Sequence, residues 1–162
     1  MSFMLKFVVL LLTLSASIAA QSKSIKPLPD DASLVDTQKW LVATIGKNAS
    51  YKTRVTSASV SDVKFDGCKL SYIAIRKSGS AAHDTMGTRT RVATVKQEIA
   101  FDLSFIAEDG IRLADHAYPE FQTITIKFRS DQGDVEIVVR HEAGEPIRQA
   151  LQHARTLCIQ KN

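Results

Sequence analysis

The sequence has 162 residues, 44% of them hydrophobic and 23% charged, with a formal net charge of +4. A chain of that length holds one domain able to bury a core without a metal or several disulfides. The charge is small and spread along the chain, which does not call for a nucleic-acid partner, and two cysteines exclude a disulfide-dense scaffold.

The first twenty residues have the three parts of a secretory signal peptide. Lys6 supplies the basic start, an apolar stretch runs from Phe7 to Ile18, and the small residues Ser17, Ala19 and Ala20 precede polar Gln21. Signal peptidase requires small side chains at the −3 and −1 positions, so cleavage is expected after Ala19 or Ala20. A retained anchor is the alternative, but a spanning helix needs roughly 20 apolar residues and this stretch is shorter. Beyond it no segment is apolar for long enough to cross a bilayer. Removing residues 1–20 leaves 20 basic against 17 acidic side chains, because Lys6 is the only charge removed. A secreted or periplasmic location follows.

Residues 21–30 are polar and contain Pro27 and Pro29. They are expected to form a flexible linker to a single domain over 31–162. A helix is predicted over about 31–46. Ser33 with Asp36 has capping-box spacing, Leu34, Leu41, Val42 and Ile45 share a face with Trp40 beside it, and Gly46 is the expected stop.

From Tyr51 to His141 the period changes to two. Val55, Val63 and Phe65 lead to Asp66-Gly67, a hairpin signal, and Leu70, Tyr72, Ile73 and Ile75 continue the next run. Val95, Ile99, Phe101, Leu103 and Phe105 form a third run that Glu108-Asp109-Gly110 is expected to break. Ile124, Ile126 and Phe128 precede a turn at 130–134, and Val135, Ile137 and Val139 form the last strand. An antiparallel sheet of five or six strands is the expectation. The C-terminus reads as an amphipathic helix with Pro146 in its first turn. Ile147, Ala150, Leu151, Ala154, Leu157 and Cys158 make one stripe to lay on the sheet. The fold class is therefore α+β, a sheet flanked by an N-terminal and a C-terminal helix.

Cys68 and Cys158 are the only cysteines. In an oxidising compartment an even pair is expected to join. Cys158 lies on the inward stripe and Cys68 begins a strand on the same side as Leu70, so a helix end over a strand start brings them together. Two buried free thiols are the alternative.

Trp40, F-D-G-C-K-L at 65–70 and H-A-R-T-L-C at 153–158 give the chain a likeness. It resembles a class of exported bacterial single-domain proteins of unassigned function. A strand followed by a terminal amphipathic helix is also similar to the pleckstrin-homology-like architecture, in which such a helix plugs one end of a bent sheet. A cystatin-like helix-on-sheet is the alternative. The resemblance implies a fold and a disulfide and transfers no catalytic residue.

No catalytic constellation is legible. His83, His116 and His141 each stand beside a carboxylate, and His153 lies on the final helix. None has two-histidine metal spacing, and H-E-A-G-E at 141–145 lacks the second histidine. Ser78-Gly79-Ser80 lacks the flanks of a nucleophile elbow. No metal or cofactor is implied. Asn48-Ala49-Ser50 matches the glycosylation acceptor, and the resemblance to bacterial proteins implies that it goes unused. The distinctive segment is an expected loop from Lys77 to Thr88. If its flanks pair, Arg76, Lys77, Arg89 and Arg91 gather at one rim as a candidate anion-binding set. Solvated charges that discourage edge pairing are the plain alternative. The leading functional expectation is a non-enzymatic binding module with an envelope or extracellular partner. A small secreted hydrolase with scattered residues is the alternative.

Overall fold

The computed structural model describes residues 25–53, 56–84, 87–130 and 133–161, with backbone alone for 80–91. The signal peptide and its cleavage positions Ala19 and Ala20 lie outside the described residues. So does the first part of the expected linker. Its described part, from Ile25, lies against the fold: Ile25 and Leu28 pack on the core, and Trp40 Nε1 donates to the Lys26 carbonyl at 3.0 Å.

The chain is α+β. Helix α1 (Leu34–Asn48) comes first, then β1 (Ser50–Lys52), β2 (Thr56–Asp66), β3 (Lys69–Asp84) and β4 (Gly87–Asp102). A short 3-10 turn, Leu103–Phe105, leads to β5 (Ile106–Asp115), β6 (Phe121–Phe128), β7 (Val135–Arg140) and helix α2 (His141–Lys161). All strand pairs are antiparallel, in two sheets of order β1-β2-β3-β4 and β5-β6-β7. Seven strands in two sheets stand where one sheet of five or six was expected, and the cystatin-like alternative of one helix across one sheet is not adopted.

The difference comes from three places where local composition misleads. The apolar run from Val95 to Phe105 is not one strand. Asp102 accepts from the Ser104 backbone N–H at 2.8 Å and caps a tight turn, which directs the chain into the second sheet. Glu108-Asp109-Gly110 does not break a strand but sits inside β5, where the register with β6 shifts between Ile106 and Ile111. The supposed loop from Lys77 to Thr88 is the far end of the β3–β4 hairpin, paired from Lys69↔Asp102 to Asp84↔Gly87. Its small Ser, Gly and Ala side chains carry no alternation, so only the backbone ladder reveals the strand.

The helices meet the expectation with shifted ends. Ser33 caps α1, its Oγ accepting from the Asp36 N–H at 3.2 Å. The helix passes through Gly46 because Asn48 Nδ2 donates to the Thr44 carbonyl and the Ala49 N–H to the Ile45 carbonyl. Asn48 is buried with that amide engaged, which closes it to glycosylation. Helix α2 starts five residues before Pro146, which lies inside it. Gly144 lets the early turns approach the second sheet: an added Cβ would run into the Gln122 side chain and lie 3.0 Å from Leu113 Cδ1.

Buried Ile147, Ala150, Leu151, Ala154 and Cys158 form the inward stripe of α2. It meets Leu41 and Ile45 of α1, Leu70 and Phe101 of the first sheet, and Ile124, Ile126, Ile137 and Val139 of the second in one core. Complete burial of such side chains contributes about 1.5–3 kcal/mol each before the cost of ordering them. Cys68, in the turn between β2 and β3, is joined to Cys158 with a Cα–Cα distance of 5.7 Å. His153 ties α2 to the approach of α1 through the Ala32 carbonyl at 2.8 Å. No helix among the described residues is long and apolar enough to cross a membrane.

Candidate functional site

The two sheets meet closely around Leu70 and Phe101 and leave a groove further along β3. Alternation places Tyr72, Ala74 and Arg76 on the inward face of that strand. Val60 and Ala58 stand opposite Ala74 and Arg76 on β2, and Ile99, Gln97 and Val95 stand opposite all three on β4. With Tyr51, His116 and Glu136 completing the far side, these residues surround a hollow of about 580 Å³. The hollow exists because Ala58 and Ala74 are too short to fill it. A register break in β2 between Ser61 and Lys64 keeps both Val60 and Phe65 on the inward face, and Asp62 takes a positive φ of 52° there.

The groove is closed at Tyr72 and open at Arg76. Tyr72 is only 2% exposed, whereas Arg76, Val95 and Gln97 face solvent. The Tyr72 hydroxyl is buried and has no hydrogen-bond partner among the described residues. Burial pushes its pKa well above the usual phenol value, and the positive charge of Arg76 offsets part of that rise. At neutral pH the group is thus a protonated donor with nothing to donate to. Buried polar groups are nearly always paired, which makes this hydroxyl the candidate hydrogen-bond donor of the groove.

At the mouth, His116 accepts from the Tyr118 N–H through Nδ1 at 3.2 Å. Its ring packs between Tyr51, Tyr118 and Phe121, with centroids 5.4–6.2 Å away. Among the described residues no group of three or more His, Cys, Asp or Glu could hold a metal ion.

Of the four cations expected at one rim, the structure describes the side chains of Arg76 and Lys77 alone. Arg76 and Lys77 are consecutive on β3 and point to opposite faces. Arg91 and Arg89 pair with Ser80 and Ala82, four and six residues beyond Arg76, or roughly 13 and 20 Å along an extended strand; their side chains lie outside the described residues. Tyr72, taken from the sequence as a strand residue, is the functional candidate that sequence reasoning missed. A tyrosine between Ser71 and Ile73 looks like any strand aromatic, and only the packing leaves its hydroxyl alone. No family model, curated protein or solved structure matches the chain.

Proposed function

We propose that this chain is exported behind a signal peptide cleaved after Ala19 or Ala20, and that it serves in the periplasm or outside the cell as a non-enzymatic binding module. Its ligand is a small amphipathic molecule held in the groove between the sheets. An oxygen of the ligand accepts from Tyr72, its apolar body covers Ala58, Ala74 and Val60, and an anionic end meets Arg76 at the mouth. The observation that carries this reading is the unpartnered Tyr72 hydroxyl at the closed end of the hollow.

The displaced pKa in the groove belongs to a phenol that keeps its proton. Such a group donates a hydrogen bond and does not act as a general base near neutral pH, which favours a binder over the hydrolase alternative. Four strands, then three, then a closing helix support a pleckstrin-homology-like reading of the fold and a likeness to exported single-domain proteins. The disulfide supports an oxidising compartment.

The test is a titration of the oxidised protein with aliphatic and aromatic carboxylates of graded length, read by amide chemical shifts. Shifts should concentrate at Tyr72, Ala74 and Gln97, and Ala74→Phe, which fills the hollow, should abolish them while the fold persists. If neither these acids nor extracted envelope small molecules perturb the groove, the reading fails.

A further inference from the structure

Beside the groove, toward β1, a second hollow of about 300 Å³ opens, and Tyr51, Ala58, Ser59, Ile75 and Lys77 line both. Lys52 of β1 pairs with Ser57 of β2, and Ser57 with Lys77 of β3. The two lysines therefore flank a serine on one face, with Cα atoms roughly 10 Å apart by sheet spacing. Ser50 and Ser59, paired with each other, lie on the same face one pleat along. Arg140, at the end of β7, closes the remaining side, because β1 runs beside β7. Six groups able to donate hydrogen bonds thus surround one hollow, three of them cationic, and no carboxylate lines it.

The side chains of Lys52, Lys77 and Arg140 have no hydrogen bond or ion pair among the described residues. Two cations elsewhere are paired with acids: Lys127 lies 3.4 Å from Asp134, and Arg148 binds Glu145. Ile75 and Phe121 give the hollow an apolar wall, and the three cations on its rim are exposed. Helix α2 begins directly after Arg140, and none of its residues lines the hollow. Glu142, in the first turn of that helix, is not among the lining residues. Like charges gathered beside hydroxyl donors are relieved by an anion with several acceptor oxygens.

We infer that this hollow is a phosphate site, taking inorganic phosphate or the phosphate group of a small monoester. Phosphate near neutral pH carries up to two negative charges and accepts several strong hydrogen bonds, which matches three cations and three serine hydroxyls. The site adjoins the groove, but Lys52, Ser57 and Arg140 line it alone, so substitutions there separate its anion from the groove's ligand.

The test uses the chain without its first twenty residues, disulfide intact, titrated at constant ionic strength with inorganic phosphate and with glycerol 3-phosphate. Saturable amide shifts are expected at Lys52, Ser57, Ser59 and Lys77 in the millimolar range or below. Tighter binding of the ester points to a monoester ligand, and tighter binding of the free ion to phosphate itself; either order supports the site. Neutralising Lys52→Gln and Arg140→Gln together should weaken binding at least about tenfold, the scale of losing one charge-assisted hydrogen bond. Arg76→Gln, which lines the groove and not this hollow, should leave affinity within about twofold. Absence of saturable shifts with both probes overturns the proposal, as does an equal loss on Arg76→Gln, which would mark a response to net charge alone.

Discussion

At the scale of single residues, Tyr72 has the clearest energetic signature. A buried hydroxyl without a partner forfeits its hydration and costs about 1–3 kcal/mol. Tyr72→Phe removes the hydroxyl and keeps the ring, so the empty protein should gain up to about 1 kcal/mol in urea unfolding. A loss of more than about 1 kcal/mol would mean that the hydroxyl is satisfied in solution. The same residue sets an alkaline limit. Burial raises its folded-state pKa above the unfolded value of about 10. Above that pH the unfolded chain releases the proton first, so stability is complete below pH about 10 and falls as pH rises beyond it. In Tyr72→Phe that part of the alkaline loss should disappear. The alternation that turns Tyr72 and Arg76 inward and Lys77 outward was legible as a period of two. That Arg76 and Lys77 serve different faces follows only once both belong to one strand, because a loop imposes no such alternation.

At the scale of elements, the corner inside β5, where its register with β6 shifts, depends on glycine. At Gly110 an added Cβ would run into the Lys127 carbonyl and lie 2.9 Å from the Ala107 nitrogen. Both are backbone atoms in paired strands and cannot swing aside. Gly110→Ala should therefore cost about 2–3 kcal/mol, as overpacking does. Gly46 makes the contrast: it is exposed inside α1 with nothing within 4 Å of an added Cβ. Gly46→Ala should stabilise by roughly 0.5–1 kcal/mol through helix propensity. Thermal or urea unfolding of the two variants checks both signs, and similar effects at the two sites would refute the corner argument. Strands with apolar alternation, such as Ile124 to Phe128 and Val135 to Val139, were legible. The β3–β4 extension was not, because Ser, Gly and Ala alternate nothing. Helix α2 was placed correctly by its stripe, but its start was not: proline at a first turn is a preference, and packing at Gly144 carried the helix back to His141.

At the scale of the whole molecule, one covalent bond links the first hairpin to the last helix. Cys68 and Cys158 are 90 residues apart in sequence. Closing a loop of that size removes roughly 4–5 kcal/mol of unfolded-chain entropy in the simple model, of which native bonds usually deliver part. Reduction, or Cys68→Ala with Cys158→Ala, should lower stability by about 2–4 kcal/mol in urea unfolding. The exported protein, digested without reductant, should release a linked peptide pair and an N-terminus at Ala20 or Gln21. Free thiol at both positions would refute the bond in the cell, and an N-terminus at Met1 would refute the cleavage. The even cysteine count was readable locally, because it depends on simple arithmetic.

What the sequence by itself determined is therefore what depends on neighbours along the chain. Capping at Ser33, the stripe of α2 and the strand alternation are of this kind, and together they set the α+β class. Only the tertiary structure decided how one expected sheet divides into two, since that rests on a tight turn at Asp102. It alone left Tyr72 unpartnered and assembled Lys52, Lys77 and Arg140 around one hollow. Those sites join residues from strands far apart in sequence, and their chemistry arises from register and burial, which no local pattern of residues encodes.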